Sequence, residues 1–237
     1  GIPIDKWELT AHGLVAAIIK MEESCPGLKI KGSSVIIQGY GNVGAPTATK
    51  LNKKGAIIVG VSDVNEGLWN PKGLNIEKLN SIRNTRGGLR NYNGKTERRF
   101  NSSRLDWLLE APCDILVPSA RPDAINARNA DRVQCKIILQ GANSPVNKMT
   151  EYYLSNRRKI YSLSDFVVNS GGIIGCAVEL KMKAEKEYEK KVSAEGVRSY
   201  TENLINNTIS KNVAEVQSQV IKNNTTDVFF REEAMLL

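Results

Sequence analysis

Residues 34–63 constrain this chain more than any other stretch. The β-branched run Val35-Ile36-Ile37 leads straight into Gly39-Tyr40-Gly41-Asn42-Val43-Gly44, and a helical pattern fills residues 43–53. A short, uniformly apolar run suits a parallel strand buried on both faces. Gly55 closes the helix as its C-terminal cap. Residues 56–62 read as a second buried strand that ends at Asp63. Together they make one βαβ unit of the usual size. Such a unit needs helices on both faces of its sheet. Residues 114–117 and 136–139 supply further strands, and residues 160–163 a last edge strand. The expected fold is α/β: a Rossmann-like, doubly wound, mainly parallel sheet with a C-terminal helical appendage.

The remaining pattern fills in that plan. Residues 7–23 read as a helix with Leu14, Val15, Ile18, Ile19 and Met21 on one face, broken by Pro26-Gly27. Asn70-Pro71-Lys72-Gly73 is a turn and residues 76–83 a helix. Residues 84–99 are polar and glycine-containing, as in a surface loop or ragged hairpin. Ser103-Arg104-Leu105-Asp106 has capping-box spacing before a short helix. One helix is expected from Gly171 to about Lys191. Residues 193–222 carry Val197, Tyr200, Leu204, Ile205, Thr208, Ile209, Val213, Val216 and Val220 at a 3.6-residue period, so a long amphipathic helix is expected. Two fates are open to its apolar stripe: exposure with self-association, or burial against the chain's own body. We divide the chain into residues 1–180, a dinucleotide-binding domain with an N-terminal helix, and residues 181–237, a C-terminal helical segment.

The glycine string gains meaning from its context. Gly39 permits the tight turn out of the strand. Gly41 has no Cβ, so a pyrophosphate can approach the backbone. Gly44 lets the helix pack close to the strand. The first amides and the positive dipole end of that helix stabilise phosphate charge. Asp63 lies 19 residues beyond Gly44, at the end of the next strand. Its carboxylate can accept hydrogen bonds from an adenosine ribose. Val64, Asn65 and Glu66 follow it, with no neighbouring Arg or Lys. A 2′-phosphate there meets negative charge, so NAD is favoured, with NADP possible.

Composition removes other classes. With 237 residues and 41% hydrophobic content, the chain can build one globular core. It starts at Gly1 with no basic-then-apolar leader, and its longest apolar stretch near the start is residues 14–19. We therefore expect no signal peptide and no membrane span, and a chain that is processed or a fragment. The net charge is +8, but its Lys and Arg residues are scattered through pairs such as Lys53-Lys54 and Arg157-Arg158, so no nucleic-acid surface is expected. Cys25, Cys113, Cys135 and Cys176 form no CxxC pair, and His12 is the single histidine. No metal site is expected, and His12 reads as a partly buried polar side chain. Free thiols suit a cytoplasmic protein.

Several separated motifs carry a family resemblance. Ile37-Gln38-Gly39-Tyr40-Gly41-Asn42-Val43-Gly44, Val61-Ser62-Asp63, Asn70-Pro71-Lys72-Gly73-Leu74, Cys113-Asp114-Ile115-Leu116-Val117-Pro118-Ser119-Ala120, Gly141-Ala142-Asn143 and Asn169-Ser170-Gly171-Gly172 occur in one order, preceded by Thr10-Ala11-His12-Gly13. From about Glu8 to Lys181 the chain resembles the glutamate/leucine/phenylalanine/valine dehydrogenase family. The resemblance implies reversible oxidative deamination of an L-amino acid to a 2-oxo acid and ammonia, with hydride passing to nicotinamide. It implies that Thr10, Gly39, Tyr40, Gly41, Asn42, Val43, Gly44, Asp63, Val64, Ser119, Ala120, Asn143 and Asn169 bind the cofactor. It also implies a nucleotide domain with one strand reversed, and a homo-oligomeric parent protein.

The same resemblance implies that the catalytic lysines and aspartate belong to an N-terminal domain with a Gly-rich lysine motif. These residues hold no such segment, so no catalytic residue is assigned here and turnover is expected of the parent protein. Gln140 stands where many members carry Glu, and Ala11 where they carry Gly. Cys176 is the substrate-side position, where glutamate-specific members place a Ser and branched-chain members a Val. Its thiol is only a weak donor to a carboxylate. Glutamate is the first choice of substrate. An NAD-sensing regulatory subunit or pseudoenzyme, or a purely structural partner subunit, is the alternative.

Overall fold

The computed structural model describes residues 1–25, 27–101, 106–223 and 230–236. After helix α1 (Leu9–Ser24) the chain forms β1 (Ser34–Gln38), α2 (Gly44–Lys53), β2 (Ile57–Ser62), β3 (Glu66–Trp69), α3 (Ile76–Ile82) and β4 (Arg98–Asn101). Then come α4 (Trp107–Glu110), β5 (Ile115–Pro118), β6 (Ile137–Leu139), α5 (Lys148–Asn156), β7 (Tyr161–Leu163) and α6 (Asp165–Val168). Helices α7 (Gly171–Ala184), α8 (Lys186–Glu195), α9 (Val197–Asn223) and α10 (Phe230–Ala234) finish it. None of the described helices is long and apolar enough to cross a membrane.

Among the described residues seven strands form one sheet in the order β4-β3-β2-β1-β5-β6-β7. Strands β1, β2, β5, β6 and β7 pair in parallel. Strand β3 runs antiparallel to both neighbours, so it is the one reversed strand that the family resemblance implied. Alternate side chains divide between two cores, as the period of two in a strand requires. Val35, Ile37, Ile115, Val117, Ile137 and Leu139 face α1, α2 and α9. Ile36, Leu116 and Ile138 face α4, α5 and residues 124–133. The fold is therefore the doubly wound α/β arrangement expected.

Helix α1 is buried on more than the one face that its pattern suggested. Leu9, Ala11, Leu14, Ala17, Ile18 and Met21 have no solvent exposure, because α2, α7 and α9 all pack on it. Helix α9 settles the fate of the apolar stripe. Ile205, Ile209, Val213 and Val216 are fully buried, chiefly along α1. The exposed, self-associating outcome is thus not the observed one. Each such side chain contributes roughly 1.5–3 kcal/mol of burial.

Other elements depart from the sequence pattern. The single helix expected over 171–191 is two, interrupted at Glu185, whose backbone is extended (φ −127°, ψ 105°). The bend brings Val192 into the core and sets Tyr188 edge-on to Tyr200 of α9 at 5.7 Å. The segment 84–99 contains a 3-10 turn, Gly88–Asn91, and leads into β4. Strand β4 is pinned at its start by Arg98, which lies 5.7 Å over Trp69 and 5.2 Å over Trp107. Asp106 precedes α4 without capping it, and the rest of the expected capping box lies outside the described residues.

Asp114 ties the centre of the sheet together. Its Oδ2 accepts hydrogen bonds from the Ser34 amide and hydroxyl, both at 2.8 Å, and its Oδ1 pairs with Lys136 at 2.8 Å. Burial alone would push this carboxyl up; Lys136 and Ser34 outweigh that and hold it below its ordinary value. A depressed carboxyl contributes stability above its unfolded pKa, about 3.9, and loses it as pH falls through the folded value. Asp114→Asn should therefore cost about 1–2 kcal/mol near neutral pH and flatten the acid limb of the stability curve, as urea titrations at several pH values will show. Ile209→Ala should cost about 2–5 kcal/mol in the same titrations. Ile209→Glu should unfold the chain; sedimentation of a folded, merely dissociated Ile209→Glu variant would contradict the internal packing of α9.

Candidate functional site

The glycine loop sits where the strand order changes direction, between β1 and β5. Ligands of open α/β sheets bind outside the carboxyl ends of the strands at that point. Gly39 turns the chain out of β1 with φ +95°. A Cβ on Gly44 would lie 1.9 Å from the Gly39 carbonyl oxygen, 2.7 Å from Ser119 Oγ and 2.8 Å from Ile37. Only glycine lets α2 start this close to β1. Gly41 is the opposite case: a Cβ there would meet nothing within 4 Å. Its backbone faces open space beside the first amides of α2, which have no partner within the helix.

The expected site residues fall into two adjoining cavities. The first, about 600 Å³, is lined by Gly39, Tyr40, Gly41, Asp63, Val64, Ser119 and Ala120, with Arg83 and Arg121 at its wall. The second, about 510 Å³, is lined by Thr10, Val43, Ser119, Ala120, Asn143, Asn169 and Cys176. Ser119, Ala120 and Arg121 belong to both, so one crevice crosses the strand ends. Asn42 and Gly44 line neither cavity. Asn42 is exposed and donates to Asp5 at 3.1 Å, while Gly44 is buried in the loop's packing.

Each polar group has a structural job that limits what else it can do. Asp63 Oδ1 accepts from the amides of Asn65 (2.7 Å) and Glu66 (2.8 Å), and Oδ2 from Leu89 (2.8 Å). A carboxylate has about four acceptor positions, so about one remains for a ligand hydroxyl. Ser119 Oγ donates to the carbonyls of Gln38 (2.9 Å) or Gly39 (3.1 Å), stapling β5 to the loop. Tyr40 is nearly buried, and its hydroxyl donates to Asn80 at 3.0 Å. Burial raises its pKa despite Arg83 nearby. Asn169 Nδ2 donates to the Ala142 carbonyl (3.2 Å) and to Asn143 Oδ1 (3.1 Å), which leaves the Asn143 amide donors uncommitted.

The starts of α1 and α7 meet behind the second cavity. A Cβ on Gly171 would lie 2.1 Å from the Leu9 carbonyl oxygen, so glycine is required for this approach. It brings Thr10 beside Asn169 across 159 residues of sequence. His12 points away from the crevice: burial lowers its pKa, and its neighbours are Glu202 and Asn206 of α9 and Lys50 of α2. Arg83 was missed from sequence because it follows Asp63 by a whole helix rather than standing beside it. Arg121 was missed although it directly follows Ser119-Ala120. Among the described residues no cluster of His, Cys, Asp and Glu suited to a metal is present.

Residues 1–236 match the profile described as glutamate/leucine/phenylalanine/valine dehydrogenase. An NADP-specific glutamate dehydrogenase of Saccharolobus shibatae is 39% identical over 151 residues, covering 63% of this chain and 34% of the relative. A cryptic catabolic NAD-specific glutamate dehydrogenase of Bacillus subtilis is 33% identical over 198 residues, covering 81% of this chain and 44% of the relative. The structure of Plasmodium falciparum glutamate dehydrogenase 2 superposes with a TM-score of 0.78 at 25% identity, covering 98% of this chain and 50% of that one. The chain thus spans about a third to a half of the length of these relatives.

Gly44 and Gly41 of the loop separate stability from ligand access. Gly44→Ala forces a contact with backbone and should cost several kcal/mol, of the order of severe overpacking (about 3). Gly41→Ala should leave stability within about 0.5 kcal/mol while weakening any pyrophosphate ligand that approaches the loop. Thermal denaturation with and without such a ligand checks both; equal loss of stability in the two variants would contradict this division.

Proposed function

The chain belongs to the glutamate/leucine/phenylalanine/valine dehydrogenase family, and from that premise we propose that it is the dinucleotide-binding part of an NAD(P)-dependent amino-acid dehydrogenase. The observation that carries this reading is the continuous crevice over the strand ends, with Gly41 open at its centre. The adenosine end lies in the first cavity by Asp63 and Val64. The pyrophosphate lies over Gly41, Asn42 and the start of α2. The nicotinamide end lies in the second cavity, where Asn143 and Asn169 meet its carboxamide and Thr10 lines the far wall. A nicotinamide held there would supply the hydride acceptor for the Cα of an amino acid; glutamate is the proposed substrate.

The residues present fit a positioning role. The second cavity's described lining offers no lysine and no carboxylate to move a proton. We assign that work to a part of the protein outside these 237 residues. Residues 1–180 carry the nucleotide site and 181–237 the C-terminal helices. Beside Cys176 on α7, Ile173 and Leu180 are exposed, and Ala177 completes a face of i, i+3, i+4, i+7 spacing. This face suits closure against the substrate-bearing part. The proposal includes a cytoplasmic location and assembly of the whole protein into a homo-oligomer.

Cofactor choice rests on two opposed charges. Asp63 disfavours a 2′-phosphate, and Arg83, in the same cavity, favours it. NAD should bind at least as well as NADP, with modest discrimination. Calorimetric titration of the chain with each cofactor tests this. Asp63→Ser should narrow or reverse the preference for NAD, and Arg83→Ala should weaken NADP more than NAD. A clear NADP preference in the unmodified chain would show that the ribose-reading position is wrongly assigned; binding of neither would overturn the functional reading.

A further inference from the structure

A buried ion network joins the C-terminal helix α10 to the loops of the second cavity. The Arg231 guanidinium reaches both carboxylates of the network. It donates to Glu151 of α5 through Nε and Nη2, and through Nη2 to Asp165 Oδ1 at 3.1 Å. Its Cζ lies 5.1 Å from the centre of the Phe166 ring. Glu151 has no solvent exposure and Asp165 very little. Gln140, at the end of β6, donates to Glu151 and to Ser162 Oγ (2.9 Å), and its carbonyl accepts from the Asp165 amide (3.3 Å). A neutral side chain at 140 avoids a third buried negative charge beside a single guanidinium.

Asp165 is the hub of this network, and it bonds to the backbone beside or at both asparagines of the second cavity. Its Oδ2 accepts from the Ser144 amide at 2.9 Å. Ser144 has φ +47°, a left-handed conformation that is costly for a residue with a Cβ. That conformation turns the chain immediately after Asn143. The Asp165 carbonyl accepts from the Asn169 amide at 2.8 Å. Asn143 and Asn169, themselves hydrogen-bonded, both line the cavity. The Asp165 carboxylate thus fixes the backbone after Asn143, and its main-chain carbonyl takes the Asn169 amide at the end of α6. Asn169 is tied to the held turn through its bond to Asn143, and Arg231 fixes the carboxylate from the opposite side.

We propose that Arg231 is a positioning residue for the nicotinamide-side cavity: α10 acts as a latch that, through Asp165, holds the Asn143-Ser144 turn and Asn169 in place to receive the nicotinamide carboxamide. The inference rests on the dinucleotide reading above and adds a group more than 60 residues away in sequence, at the far end of the chain. Two properties make the guanidinium suited to this. It stays charged at all working pH values, and its planar fork engages two carboxylates at once. A lysine supplies the charge from one point only and keeps part of the hold.

The test compares NADH with ADP-ribose, which lacks nicotinamide, on the unmodified chain and on Arg231→Met, Arg231→Lys and Asp165→Asn. Arg231→Met should bind NADH about tenfold more weakly, the loss of about one charge-assisted hydrogen bond's worth of order, with ADP-ribose binding unchanged. Arg231→Lys should fall between. Amide hydrogen exchange over residues 141–147 should quicken in Arg231→Met. If Arg231→Met fails to fold, Asp165→Asn, which keeps the shape of the side chain, should give the same selective loss of NADH. Equal weakening of both ligands, or unchanged NADH binding in a folded Arg231→Met, would overturn the latch while leaving the dinucleotide reading intact. If the unmodified chain binds neither ligand, the dinucleotide reading fails and the latch to nicotinamide fails with it.

Discussion

Everything in the crevice follows from how near α2 approaches the end of β1. At Gly44 the helix stands against the Gly39 carbonyl, closer than any Cβ permits. That carbonyl is also within reach of the Ser119 hydroxyl at the end of β5. The amides of Gly39 and Tyr40 meanwhile bond to the Ser62 carbonyl at the end of β2. Three strand ends and one helix start are therefore fixed by a handful of short contacts. The aim of the α2 amino terminus is a consequence of this packing. A larger residue at 44 would tilt the helix, and with it the field that α2 offers an anion.

Packing elsewhere on the sheet face that α2 covers serves the same crevice. Helix α1 lies within the core, and α9 closes over it with Ile205, Ile209, Val213 and Val216. This clasp fixes Thr10 at the start of α1. The near contact of Gly171 with the Leu9 carbonyl then fixes the start of α7. Side chains at opposite ends of the sequence order one wall of a cavity, although none of the clasp's apolar residues touches that cavity. A change in α9 would reach the site through the helices it packs on, α1 foremost and then α6, α7 and α10.

Much of this was legible in the residues. The βαβ unit has a strict local grammar, so its strands, its helix and the Gly39 turn fall where the pattern puts them. The edge position of β7 and the helix over most of 193–222 were also readable. Reversed β3 and its partner β4 were not: Glu66-Gly67-Leu68-Trp69 has no clean alternation, and its pairing is decided by Trp69, Trp107 and Arg98, which lie far apart in sequence. The break at Glu185 was hidden because residues 171–191 contain no Pro and keep helical composition to the end. The bend is favoured by Tyr188 meeting Tyr200, a contact that periodicity does not encode. At the crevice, the glycines and Asp63 announced themselves by spacing. Arg83 and Asp165 did not, since their relation to the cavity exists only once the chain has folded.

The position of Asp63 shows why spacing alone gives half of a site's chemistry. Distance along the chain places a carboxylate at the end of β2, but it does not say how many of its acceptor positions are free. The structure spends three on amides, two in its own turn and one from Leu89, where a Cβ on the preceding Gly88 would lie 2.3 Å from Asp63 Oδ2. Those bonds anchor the carboxylate and bring the 84–91 loop close beneath it. About one acceptor is left to read a ribose, fewer than the two hydroxyls of an unmodified ribose could use. Recognition of the second hydroxyl must then come from elsewhere in the same cavity. The side chains available there include Asn65, Arg83 and Thr85. A carboxylate anchored this firmly presents its charge in a fixed direction, while Arg83 has a long, adaptable stem. Discrimination between cofactors is thus a contest between one rigid charge and one movable charge, and such a contest gives a graded preference rather than an absolute one.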